Sequence, residues 1–175
     1  MIISVPATYT ARGGIEVYRF SLAASLGIPL AALLLQAFLP RLSPRFLMFD
    51  LPLLVTIFLG VARRNPVSGI IAGSVIGLLQ DSLTHHALGV YGIAKTVVGY
   101  GASSLGMRID VENPLARVLT VSGFYLVHDL VYFLVARELV GQTVEWGWGR
   151  LLAAAANAAV ALPLFSFLDR FKHKT

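Results

Sequence analysis

The chain has 175 residues, of which 57% are apolar and only 13% charged, about half the charged share of ordinary soluble domains. That composition excludes a soluble enzyme domain and points to an integral membrane protein built as one small helical bundle. The absence of cysteine excludes a disulfide framework, a thiolate nucleophile and a cysteine metal site. The net charge of +5 comes from basic residues flanking apolar spans, with no stripe of aromatics between them, so it bears on membrane topology and not on nucleic acid.

Residues 1–19 lack the basic start, early apolar run and cleavage site of a signal peptide, and are expected to form a cytoplasmic tail. Phe20–Leu39 is a run of twenty residues without a charge, the length a helix needs to cross the hydrocarbon core. Pro29 sits inside it as a potential kink, and Pro40 is expected to end it. Leu51–Ala62 is short, and extending it back to Phe46 takes in Asp50 and Pro52. It is still expected to span, tilted or in a thinned bilayer. Arg63–Pro66 then turns into a third span, Val67–Gln80, and Asp81–His86 reads as a short polar connection. Ala87–Gly106 is the fourth span and Leu115–Ala136 the fifth. A connection carrying Trp146 and Trp148, rings suited to a membrane interface, leads to the Ala-rich sixth span, Leu151–Leu168.

The expected fold is therefore all-α: six transmembrane helices over 20–168, with a basic tail over 169–175. Placing the N-terminus inside puts nine Lys and Arg residues in inner segments and four in outer ones. This bias favours both termini in the cytoplasm.

Within the third span, Gly69, Gly73 and Gly77 recur every four residues, and Asp81 follows at the same spacing. Residues four apart share a helix face, and small residues so placed let two membrane helices approach closely. The face is either an internal packing seam or a groove for a partner helix. Three further ionisable residues lie inside spans: Lys95, His128 and Asp129. At about 1.5 Å per residue, Lys95 and Asp129 fall at similar depth on consecutive helices, so they are expected to pair, with Asp81 as the rival partner. Such charges are either a structural staple or an ion relay with Tyr91, Tyr125 and Tyr132. His85 and His86 do not make a metal site, because adjacent imidazoles diverge and at least three ligands are needed. Neither GxSxG nor HExxH occurs, and no GK[ST] follows the glycines. No catalytic residue, cofactor or metal is expected.

The stretch Gly77-Leu78-Leu79-Gln80-Asp81, then six residues, then Leu88-Gly89-Val90-Tyr91, followed by Lys95 and Gly99-Tyr100, resembles the bacterial rod shape-determining protein MreD family. The resemblance implies a non-enzymatic inner-membrane subunit of the cell-elongation machinery. It implies lateral contact with MreC, through Gly69, Gly73, Gly77, Leu88 and Gly89 if the ridge is a docking face. It also implies links to MreB filaments and to the RodA and penicillin-binding synthase pair. The family's fold is thought similar to the substrate-binding subunits of ECF vitamin transporters. That similarity supplies a second candidate function, a vitamin or small-solute binding subunit.

Overall fold

The computed structural model describes residues 18–84, 87–109, 113–143 and 147–174. Six helices follow in order: α1 (Leu22–Leu42), α2 (Leu51–Arg63), α3 (Pro66–Thr84), α4 (Val90–Gly106), α5 (Pro114–Leu134) and α6 (Gly149–Leu168). Among the described residues, five stretches are long and apolar enough to cross a membrane: Leu22–Leu42, Pro44–Arg63, Pro66–Thr84, Pro114–Leu139 and Gly149–Phe171. Only α4 falls outside that group, with seventeen residues and Lys95 within it. At about 1.5 Å per residue it still extends roughly 26 Å.

Helix starts follow from local chemistry. Ser21 caps α1 by accepting from the Ala24 N–H (3.1 Å), Asp50 caps α2 through the Leu53 N–H (2.9 Å), and Asn113 caps α5 through the Leu115 N–H (2.9 Å). Each satisfies a donor that the first helical turn leaves open. Pro52 and Pro114 sit in the first turns of α2 and α5, where a missing N–H costs nothing.

Helix α2 is the axis of the bundle. Ten of its thirteen residues are buried, as expected of a helix apolar all round. Phe58 on α2 meets Phe165 of α6 at a ring separation of 5.2 Å and Phe20 edge-on at 5.9 Å. By contrast, α1 buries only Ala32 and Leu33 and lies on the outside.

Tyr18–Arg19 pairs antiparallel with His173–Lys174, bringing both ends of the described chain to one end of the bundle. The same end is tied by Arg117 to Asp169 (2.7 Å), Lys172 to Asp169 (2.6 Å), and Arg63 to Ser25 (2.6 Å) and Ser68 (3.2 Å).

Several expected boundaries move. Helix α1 continues through Pro40 to Leu42, forgoing the one N–H that proline lacks, and the Ser43 N–H closes its end on the Leu39 carbonyl (3.4 Å). The short second span gains a 3-10 turn, Pro44–Met48, ahead of α2. Asp81 lies inside α3 and not in a connection, since α3 runs on to Thr84. Beyond α5 the backbone widens into a π turn over Val135–Leu139. His85 and His86, residues 110–112, and Glu145 and Trp146 of the fifth connection lie outside the described residues, as does most of the N-terminal tail.

Candidate functional site

The glycine ridge packs against α4. A Cβ added at Gly69 would collide with the Gly99 carbonyl, at Gly73 with the Lys95 carbonyl, and at Gly77 with the Tyr91 carbonyl. As the number rises by four along α3, its partner falls by four along α4, so the helices run antiparallel in contact for three turns. The ridge is thus occupied within the chain, and a partner helix has no access to Gly69, Gly73 or Gly77 while α4 stays in place.

Asp81 ends this seam. Its side chain is completely buried and accepts from the backbone N–H groups of Gly89 (2.9 Å), Tyr91 (3.0 Å) and Gly92 (3.2 Å). A carboxylate at this point answers the open donors and the positive dipole end of α4. Gly89 has φ 100°, a left-handed conformation that glycine adopts without Cβ strain. Leu88, beside it, is 75% exposed.

The buried charges gather at the same end of the bundle. Lys95 is fully buried and donates to Asp50 Oδ2 at 2.6 Å. It also lies 3.3 Å from His128 Nε2 and 4.9 Å from the centre of the Tyr91 ring. An ammonium has no lone pair, so His128 Nε2 is the acceptor in that contact. His128 stacks on Tyr91 (5.8 Å, 9° between planes), and Tyr132 packs on Tyr91 at 4.9 Å.

The expected pair of Lys95 with Asp129 does not form. Asp129 is ion-paired with Arg150 at the start of α6, Oδ1 to Nη1 at 2.6 Å, while its neighbour His128 takes the inward position. Adjacent helical residues point about 100° apart, so equal depth did not imply a shared face. Asp81, the rival, is engaged by the α4 backbone. The structure therefore brings Lys95 and His128 together, around Asp50, and leaves Asp81 and Asp129 in separate contacts.

Asp50 belongs to an irregular segment that two amide side chains hold. Gln36 of α1 donates to the Phe49 carbonyl (2.9 Å) and accepts from the Leu51 N–H (3.1 Å). Asn157 of α6 is fully buried, accepts from the Asp50 N–H (2.9 Å), and donates to the carbonyls of Met48 (2.8 Å) and Ala153 (2.8 Å). Non-helical backbone survives at membrane depth only where protein groups satisfy it in this way. Beside the cluster lies a recess of about 470 Å³ bounded by Gln36, Asp50, Gln80, Tyr125, His128 and Asp129 among others. Among the described residues no three His, Asp or Glu side chains converge as a metal site.

The family model described as rod shape-determining protein MreD matches residues 17–171. The chain belongs to the MreD family. Membership in MreD assigns it a role in rod-shape determination, in a family of structural proteins not known as enzymes, and its apolar helices make it a multi-pass membrane protein. Among curated proteins and solved structures nothing matches it significantly.

The MreD-like stretch acquires a physical meaning from this geometry. Its glycines form the α3–α4 seam, and the spacing from Asp81 to Gly89 is the reach of a carboxylate at the end of α3 to the first N–H groups of α4. Asp81→Ala is expected to leave those donors open in a lipid-shielded site, at about 1–3 kcal/mol for each one that stays unpaired. Asp81→Asn, which keeps one acceptor oxygen, should fall between Ala and the native residue. Midpoints of thermal unfolding in detergent would check that order, and equal midpoints for all three would remove Asp81 from this role.

In the MreD sequence Asp50 registers only as a polar residue beside the second span and Gln80 only within the motif, and Gln36 and Asn157 carry no signal at all. Asp50-Leu51-Pro52 does carry a signal: a capping residue followed by proline in the first turn. Once a cap falls inside a membrane-spanning stretch, as Asp50 does in Pro44–Arg63, its charge requires a partner.

Proposed function

We propose that the chain is a non-enzymatic scaffold subunit of the bacterial cell-elongation complex in the inner membrane. In this reading it holds MreC by lateral helix contacts and links it to MreB and to the RodA and penicillin-binding synthase pair. The supporting observation is the unpartnered flank of α1. Leu22, Leu26, Leu30, Leu34 and Phe38 are all at least 45% exposed along it, and they repeat every four residues, a continuous apolar stripe. The described connections are short, which leaves helix faces as the main contact surface. With the glycine ridge already covered by α4, the α1 flank replaces it as the proposed MreC-facing surface. Both termini are placed in the cytoplasm on the nine-to-four bias of basic residues.

Co-expression with the MreC encoded beside it, followed by purification through a tag on MreC in mild detergent, tests this. Co-elution in fixed ratio is the expected result. The polar recess favours one other reading, a small-solute binding subunit. Failure to co-elute, together with a soluble small molecule bound to the isolated protein by mass spectrometry, would transfer the assignment to it.

A further inference from the structure

A groove of about 630 Å³ lies between α1, α2 and α3, apart from the charge cluster. Arg63, in the last turn of α2, bridges its walls. Nη2 donates to Ser25 Oγ on α1 (2.6 Å) and Nη1 to Ser68 Oγ on α3 (3.2 Å). All three residues line the groove and are half-buried, so none is sealed from an occupant. The guanidinium has more N–H donors than these two bonds use, and among the described residues it meets no carboxylate. Neither serine hydroxyl donates to a described acceptor; both only accept from Arg63. The hydroxyls of Ser74, Ser82 and Ser103, by contrast, donate back to their own helices. Asn65 Oδ1 is taken by the Ser68 N–H (3.1 Å). This end of the groove is positively charged, rich in donors and short of acceptors.

Chain position orders the rest of the lining. Ser25 and Ser68 stand near the starts of α1 and α3, so both helices run away from the Arg63 end. Past Ser25 the α1 wall is apolar through Leu33, and past Ser68 the α3 wall is apolar through Leu79. At about 1.5 Å per residue, Ser68 to Leu79 covers roughly 16 Å. That is the hydrocarbon depth of one leaflet, half of roughly 30 Å. The complementary molecule carries an acceptor-rich anion at one end and a hydrocarbon chain of leaflet length behind it. A free phosphate matches only the polar end.

We propose that this groove binds one anionic phospholipid. Its phosphate accepts from Arg63 and from the Ser25 and Ser68 hydroxyls, and an acyl chain lies along the α1 and α3 walls. A choline lipid brings a cation beside the guanidinium and loses that match. Leu26 and Leu30 line the groove and also belong to the α1 flank proposed for MreC, so the lipid sits beside that surface. The assignment concerns the chain alone and does not depend on MreC.

Native mass spectrometry of the full chain, equilibrated with equal amounts of phosphatidylglycerol and phosphatidylcholine of matched acyl chains, tests the assignment. The expected result is about fivefold greater retention of phosphatidylglycerol, the effect of one basic residue at an anionic headgroup. Arg63→Gln should remove most of that preference. Arg108 is exposed and outside the groove, at the same end of the bundle, where Gly106 meets Val61. Arg108→Gln removes an equal charge and should keep the preference. Val75→Trp obstructs the acyl path at a position 50% exposed and leaves Arg63 in place. It should lower phosphatidylglycerol retention severalfold, and it decides the question even where Arg63→Gln fails to fold. Equal retention of the two lipids by the native protein would overturn the proposal. So would an equal loss of preference in Arg63→Gln and Arg108→Gln, or unchanged retention in Val75→Trp. Displacement of phosphatidylglycerol by inorganic phosphate would overturn it too, by giving the polar end to a free anion.

Discussion

Lys95→Met is expected to lower stability by about 3–5 kcal/mol, the effect of leaving one member of a buried ion pair without its partner. Lys95 is fully buried, and its ammonium is the closest counter-charge to Asp50 Oδ2 at 2.6 Å. His128 Nε2 lies 3.8 Å from the same oxygen and is a poorer substitute at that distance. The double variant Lys95→Met with Asp50→Asn removes both charges and keeps an oxygen to cap α2, so it should regain most of the loss. Exchanging the charges of Lys95 and Asp129 should rescue nothing, since Asp129 is bound to Arg150 on α6. Thermal midpoints in detergent, with the yield of monodisperse protein, give the comparison. Rescue by the Lys95 and Asp129 exchange would show that those two residues meet after all. A Lys95→Met variant as stable as the native protein would show that the pair contributes no net stability.

What the sequence revealed and what it hid divide along physical lines. The lengths of the apolar runs located six helices, since each such run must lie in lipid or in the core. They placed the helix ends within a few residues, failing where a proline sits inside the last turn of α1 or where a polar residue, Asp81, is carried within α3. The glycine spacing exposed a close-packing face, because only a bare backbone permits such approach. Which helix covered it was a tertiary fact, as was the partner of Lys95. Depth along a helix can be counted from the sequence, whereas the rotation that turned His128 inward and Asp129 toward α6 is set by packing with neighbours. Asp50 was hidden for another reason. It occupies a break between a 3-10 turn and α2, where hydropathy registers only a gap between apolar runs. Gln36 and Asn157, which satisfy that break, sit as isolated amides in apolar helices and declare their purpose only when the exposed backbone beside them is seen.

Gly73→Leu is expected to abolish the folded protein, and Gly73→Ala to cost about 1–3 kcal/mol or more. The midpoint of the seam has no room for even one methyl group: its nearest neighbour is the Lys95 carbonyl, backbone that cannot rotate away. Forcing α3 from α4 here also shifts Lys95, whose side chain reaches Asp50 and His128 from that same turn. Packing loss and charge separation then arrive together, which makes Gly73 more sensitive than either contact alone. Gly27 on the open side of α1 and Gly123 on α5 are matched controls, because nothing lies within 4 Å of a Cβ at either position. Gly27→Leu and Gly123→Leu should keep the native elution profile and lose only the helix-propensity differences that substitution brings, which for leucine over glycine are favourable. The decisive comparison is Gly73→Leu against Gly27→Leu in fluorescence-detected size exclusion. If both elute as the native protein does, α3 and α4 do not meet backbone to backbone. If only Gly73→Leu is lost, the glycine ridge is the internal seam on which the buried charge cluster is hung.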